Sequence, residues 1–258
     1  MLRMSPRPPQ RRVVVPRSAE GAADDFHLSL LGAFELAEGA VPLVLPGGAQ
    51  RLLAFLALQD RTVTRSATAG TLWPEASETH AHASLRSALS RLDASTREAI
   101  EVDVLDLRLA PGVAVDIRDA RALAHRLLIV NTVPSAADLT AAAIAALSSE
   151  LLPDWYDEWA IVSAEDWRQL RLHALEALAA SLAEAERYAD AVAAALAVIK
   201  AEPLRESAHA ALIRVHLAEG NQSEALRAFD RYRALLRTEL GLEPTPALFA
   251  LIRDLRPQ

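Results

Sequence analysis

The sequence predicts a mainly helical chain in two parts: a small mixed α+β part that leads, and an all-α part built on a repeat. Three observations carry this. Short apolar runs split by glycine and turn residues occur before Asp116, and amphipathic helical segments with no strand signal follow it. Apolar residues make up 52% of the 258 residues and aromatics only 5%; the excess is alanine and leucine, which favour helix. In the second half, Ala189-Asp190-Ala191-Val192 returns 34 residues later as Ser223-Glu224-Ala225-Leu226, the period of tetratricopeptide helix pairs.

Residues 1–25 carry Arg3, Arg7, Arg11, Arg12 and Arg17 among prolines, with no helical or strand period. They read as a disordered arm. Phe26–Leu31, Phe34–Leu36 and Val41–Leu45 read as short strands, split at Gly32 and at Glu38-Gly39. Gly47-Gly48 opens a helix over Ala49–Gln59, with Leu52, Leu53, Leu56 and Ala57 inward. Thr62–Thr64 is an extended link. Ser66–Trp73 is a second helix that Pro74 ends, since the residue before a proline is biased out of helical geometry. It is a weak helix on paper, because Gly70 lies inside it.

The stretch Ala76–Ser95 organises what surrounds it. Ser77 is placed as an N-cap and Glu78 as a first-turn acid. Ala81, Leu85, Ala88, Leu89 and Leu92 share one helical face. The opposite face holds His80, Ala83, Arg86, Ser87, Ser90 and Arg91, and is small, hydroxylated and basic. Ala99–Val104 and Leu107–Leu109 then form a hairpin, and Pro111-Gly112 turns the chain into Val113–Val115. Helix, helix, hairpin in that order is what a winged helix-turn-helix requires, with the third helix in the major groove. An ordinary amphipathic surface helix with two arginines has the same periodicity.

After Asp116, helices are expected over Ile117–Ile129, Ala136–Ser148, Val162–Arg187, Ala189–Ala201, Glu206–Glu219, Ser223–Leu240 and Ala247–Leu255. Gly220-Asn221 and Gly241 act as stops. Leu175, Leu178, Ala179, Leu182, Ala191 and Pro203 occupy the repeat's positions in the first copy, and His209, Leu212, Ala225 and Phe229 in the second. Two copies stack poorly alone, so the two helices before them are expected to complete a three-pair solenoid. The domains expected are a 1–25 arm, a 26–115 winged helix-turn-helix and a 116–258 helical module.

Composition narrows the function. The chain has no cysteine, which removes disulfides, thiolate metal sites and cysteine nucleophiles. The longest apolar runs fall far short of a membrane span, and Val13–Val15 is too short for a signal-peptide core. No membrane association is expected, and a cytoplasmic location is. A net charge of −7 argues against a non-specific nucleic-acid binder but leaves room for a specific one with a local basic face.

Together these stretches resemble the SARP-type regulators of bacteria, a winged helix followed by the bacterial transcriptional activator domain (BTAD). The resemblance rests on L-L-G-A-F-E-L at Leu30–Leu36, Q-R-L-L-A-F-L-A at Gln50–Ala57, T-L-W-P at Thr71–Pro74, L-R-S-A-L-S-R-L at Leu85–Leu92 and Leu107–Asp116. It continues through L-P-D-W-Y-D-E-W at Leu152–Trp159, Glu202–Arg214, and Glu219–Pro246 with its L-G-L-E-P-T-P close. The family's large nucleotide-binding ATPase extension is not expected in this chain. The resemblance implies an activator that binds double-stranded DNA at promoter repeats, often as a homodimer, and engages RNA polymerase.

On that reading His80, Arg86, Ser87, Ser90 and Arg91 are the candidate base or phosphate contacts, because arginine reads guanine bidentately and serine adapts to several partners. Arg51, Arg61 and Arg65 are candidate phosphate clamps, and the arm could lie along phosphates or be a plain tail. Two departures stand out. The family's basic, glycine-containing wing tip is replaced by Glu101-Val102-Asp103-Val104-Leu105-Asp106. Between Phe26 and Val115, seven arginines stand against ten acids. The alternative is an interaction module: the helical half binds a protein, peptide or small effector in its concave face, and the winged helix serves dimerisation or docking.

No enzyme, cofactor or metal site is expected. His80-x-His82 puts two imidazoles on different helix faces, unsuited to one metal. Asp154, Asp157 and Glu158 cluster beside Trp155, Tyr156 and Trp159, but no nucleophile, glycine-rich loop or metal motif accompanies them, which favours capping and packing.

Overall fold

The computed structural model describes residues 26–130 and 132–255; the arginine- and proline-rich arm lies outside them. Strands β1 (Phe26–Ser29), β2 (Glu35–Glu38) and β3 (Val41–Leu43) form an antiparallel meander. Strand β7 (Ala114–Val115) closes that sheet by pairing parallel to β1, giving the order β3-β2-β1-β7. Helices α1 (Gly47–Ala57), α2 (Arg65–Leu72) and α3 (Glu78–Ser90) follow the meander. Strands β4 (Val63–Thr64), β5 (Ile100–Val102) and β6 (Asp106–Leu109) make a second sheet in the order β4-β6-β5. The inward residues expected of the first helix, Leu52, Leu53, Leu56 and Ala57, are all buried.

The second helix forms despite its composition, because local capping and burial outweigh the glycine. Thr64 accepts the N–H of Ala67 at 3.2 Å, and the Thr68 hydroxyl donates back to the Thr64 carbonyl at 3.0 Å. Thr68, Ala69 and Leu72 are buried, while Gly70 faces open space and weakens nothing that packs.

Helices α4 (Asp116–Leu127), α5 (Ala141–Ser148), α6 (Glu158–Glu184), α7 (Tyr188–Ala201), α8 (Glu206–Ala218), α9 (Gln222–Leu240) and α10 (Pro246–Leu251) make up the remainder. Two helix starts differ from expectation by four residues or more. Helix α5 begins at Ala141 and not at Ala136, because the Asp138 carboxylate takes the N–H and hydroxyl of Ser135 and the Arg126 guanidinium, holding residues 135–138 in a turn. Thr140 then caps the helix. Helix α6 begins at Glu158 and not at Val162, because Trp159 packs edge-on against Phe55 and Trp155, drawing the start of the helix onto the N-terminal part.

The repeat is visible in the turns. Glu186 and Gly220, 34 residues apart in sequence, both take left-handed backbone, and Arg187 N and Asn221 N donate to the equivalent carbonyls of Leu182 and His216. Glycine suits that geometry and glutamate does not. Helices α4 and α5 pack on each other and on α6, α6 packs on α7, and α8 packs on α7 and α9. Ala191 and Ala225 are fully buried where paired helices meet. Ala191→Leu or Ala225→Leu is expected to lower stability by about 1–3 kcal/mol through overpacking. Thermal melts check this, and unchanged melting in both variants would show the register to be wrong.

The two parts are tied along one seam. An isolated antiparallel bridge joins Leu31 to Leu151, Leu152 N donates to Leu30 O at 3.0 Å, and Gly32 N donates to Glu150 O at 2.7 Å. Arg118 of α4 donates to the carbonyls of Ala57 and Gln59, at 3.0 and 3.1 Å, at the C-terminal end of α1.

Candidate nucleic-acid interface

Helix α3 is held by the face the sequence assigns to it. Ala81, Leu85, Ala88 and Leu89 are buried within the helix and Leu92 just past it. Ser77 is the N-cap residue, but its hydroxyl makes no capping bond; it pairs with His80 Nδ1 at 2.7 Å. His82 Nε2 lies 3.4 Å from Ser66 Oγ on α2. The two imidazoles therefore turn to separate partners. Among the described residues, no group of three or more histidine, aspartate or glutamate side chains is placed to hold a metal ion.

His80, Ala83, Arg86, Ser90 and Arg91 are exposed and Ser87 is half-buried. The Ser90 hydroxyl donates to the Ser87 carbonyl at 3.0 Å, so its lone pairs stay available as acceptors. Among the described residues, Arg86 and Arg91 take no part in the ion pairs made by Arg51, Arg108, Arg126, Arg168, Arg187 and Arg205. They are five residues apart, so at 3.6 residues per turn they diverge by about 140° and reach toward different places. Arg91 is the C-cap residue. Arg97, which the sequence reading passed over, donates to the Leu89 carbonyl at 3.3 Å and adds a second cation at that end. Asp93 accepts the Thr96 N–H at 2.7 Å, which holds its carboxyl below the usual range and closes the turn out of the helix.

The wing is the β5–β6 hairpin, with Ile100 opposite Leu109, Glu101 opposite Arg108 and Val102 opposite Leu107. Glu101 is neutralised across the strands by Arg108 at 2.5 Å. At the tip, Asp103 N donates to Asp106 O at 3.0 Å, and Val104 and Leu105 are 83% and 71% exposed. An apolar tip between two aspartates has nothing to offer a phosphate. Leu105 O accepts Arg65 N at 2.8 Å, so the tip and the start of α2 are one unit.

The three clamp candidates separate. Arg61 is exposed and donates to the Thr62 carbonyl at 3.3 Å; Arg65 is half-buried at the first position of α2. Arg51 is engaged elsewhere. It pairs with Asp157, donates to Leu72 O at 2.6 Å and lies over the Trp73 ring, so its charge belongs to the seam with α6 and not to a free phosphate-binding face. Asp157, one of the acidic cluster beside the tryptophans, is thus both the N-cap residue of α6 and the partner of Arg51. The two lie 106 residues apart in sequence, and no local pattern announces the pairing.

Comparison with known proteins agrees with the fold and places the chain. It belongs to the family of the bacterial transcriptional activator domain, whose model matches residues 114–256, more than half of the chain. It is 30% identical to the regulatory protein AfsR of Streptomyces griseus over 261 residues, covering 95% of this chain and 25% of that protein. It is also 30% identical to the regulatory protein AfsR of Streptomyces coelicolor over 257 residues, covering 93% of this chain and 25% of that protein. The chain spans about a quarter of the length of these curated relatives. The solved structure of Mycobacterium tuberculosis EmbR in complex with a low-affinity phosphopeptide aligns with a TM-score of 0.67 at 24% identity, covering 91% of this chain and 66% of that one. At that identity the likeness speaks for the fold alone. The family is one of transcriptional regulators and not an enzyme class. Among the described residues, no helix is long and apolar enough to cross a membrane.

Proposed function

We propose that this protein is a SARP-type regulator that acts by sequence-specific binding to double-stranded DNA at promoter repeats, as an activator that works as a homodimer and engages RNA polymerase. The observation that carries the reading is the outward face of α3: His80, Arg86, Ser90 and Arg91 exposed on a helix whose other face is locked into the core. Arg86, nearer the helix N-terminus, reads a base edge with Ser87 and Ser90 beside it, and Arg91 holds a phosphate. Arg61 and Arg65 are the flanking clamps, and Arg51 contributes through the seam that orients the helices. The division into a 26–115 reading unit and a 116–258 helical unit, acting in the cytoplasm, belongs to the same proposal.

The wing makes this protein's affinity depend on α3 more than a basic wing would. Asp103→Arg or Asp106→Arg is expected to raise affinity for any duplex, because each change removes a repulsive charge and adds a phosphate partner. Anisotropy titrations against an unrelated duplex check it; unchanged affinity would mean that the wing stands clear of the DNA. Genome-wide immunoprecipitation of the tagged protein tests the function itself. Enrichment upstream of genes at a repeated motif is expected, and no enrichment over an untagged strain would overturn the reading.

A second reading has an observation of its own. Helices α6 and α8 line a groove of about 340 Å³ whose lining includes Ala180, Ala211, Val215, Glu176 and Arg214. This supports the helical half as an interaction module, in which case the protein would fail the immunoprecipitation and retain a peptide partner.

A further inference from the structure

Arg171 of α6 is a charge without a proper partner. Its side chain is 4% exposed. Nη1 makes only long contacts, 3.5 Å to Leu147 O and 3.4 Å to Ser148 O at the end of α5. Nε has no hydrogen-bond partner, and Nη2 stands 3.9 Å from Glu150, too far for a hydrogen bond. A desolvated guanidinium so short of acceptors is costly, and a carboxylate is the partner that satisfies it best. Burial pulls the Arg171 pKa down from its ordinary value, as expected of a cation short of anionic partners.

Arg171 lines a cavity of about 350 Å³, within the range of small-molecule sites. Its other walls include Leu151, Leu152, Trp155, Ile161, Ala164 and Trp167. The surroundings also limit the charge of an occupant. The other arginine there, Arg168, is taken by Glu165 and Glu202, and the bonds that Glu165 accepts from Arg168 and Gln169 lower its pKa to about 2, fully ionised. Glu150, 67% exposed, also lines the cavity, 3.9 Å from Arg171 Nη2. One unmatched positive charge among several acids suits a monoanion and repels a dianion. Leu152, in the left-handed region at φ +44°, belongs both to this wall and to the seam with Leu30. Strain of that kind gathers at ligand sites.

We propose that this cavity is a binding site for a small monocarboxylate with an aromatic or apolar body, its carboxylate against the guanidinium of Arg171 and its body against Trp155, Trp167 and Ile161, with Glu150 as the competing anion. The site lies under the seam that joins the two parts of the chain and is independent of the DNA reading.

The test uses the full chain without DNA and 2-naphthoate as probe, with its neutral analogue 2-naphthamide and inorganic phosphate beside it, read by tryptophan fluorescence and saturation-transfer NMR. Saturable naphthoate binding is expected, at least about tenfold tighter than naphthamide, and no saturation by phosphate. Ala164→Phe, which fills the cavity at a half-buried wall position, is expected to abolish binding while circular dichroism and melting stay as in the parent. Glu150→Gln, which removes the competing charge at an exposed site, is expected to tighten naphthoate and leave naphthamide unchanged. The proposal is overturned if naphthamide binds as well as naphthoate, if neither saturates, or if either substitution leaves naphthoate affinity unchanged.

Discussion

Trp167→Ala is expected to lower the unfolding free energy by about 3–5 kcal/mol, the largest single loss foreseen for this chain. Trp167 is 1% exposed, stands first among the fully buried side chains by volume, and sits on α6 where α5 and the seam loop meet it. Its indole N–H donates to Ser149 O at 3.0 Å, which fixes the chain just after α5. Truncation removes the ring from the core and leaves that carbonyl without its donor. Trp167→Phe separates the two contributions: it keeps most of the apolar volume and is expected to cost much less, with the lost bond contributing about 1 kcal/mol. Denaturant unfolding measures both, and a loss below about 1 kcal/mol for the alanine variant would show that the site collapses around the gap.

Asp116→Ala is expected to cost about 3 kcal/mol and to loosen the first sheet before the helical repeat. The Asp116 carboxylate accepts Leu30 N at 2.9 Å, Leu31 N at 3.0 Å and, within its own helix, Ile117 N at 2.6 Å. Burial pushes its carboxyl up from the ordinary aspartate range, and the amides of Leu31, Leu30 and Ile117 pull it back. Alanine leaves three partly buried N–H groups with no acceptor. Asn, which retains one oxygen, is expected to recover part of the loss. Hydrogen exchange at Leu30 and Leu31 reads the effect directly: faster exchange there than at α8 is the expected pattern, and uniform protection would contradict it.

What the sequence disclosed and what it hid follow from the range of the interactions. The buried stripe of α3, the hairpin that follows it and the return of Ala189–Val192 at Ser223–Leu226 are local patterns with fixed periods, and they could be read from residue spacing. The seam could not. Leu31 meets Leu151, Arg51 meets Asp157 and Asp116 reaches back to Leu30, each across much of the chain, and nothing near any of these residues signals its partner. Arg51 was legible as a cation, but its use depends on the start of α6, which aromatic packing extends four residues toward the N-terminus. Arg171 was hidden for a different reason. An arginine among apolar helix positions reads as a solvent-facing residue until burial is known. The weak composition of α2 does not prevent the helix expected there, because propensity is overridden once Thr68, Ala69 and Leu72 are packed.

The central claim is that α3 reads DNA through Arg86, and one set of titrations tests it most directly. The purified chain and its Arg86→Ala and Arg91→Ala variants are titrated by fluorescence anisotropy against the protein's own upstream region and a scrambled duplex, at two salt concentrations. Arg86→Ala is expected to lose about 1–3 kcal/mol at the specific site alone, narrowing the gap between the two duplexes. Arg91→Ala is expected to weaken both duplexes alike and to reduce the salt slope by about one. The contradictory result is a parent protein that does not distinguish the two duplexes and an Arg86→Ala variant that binds as the parent does.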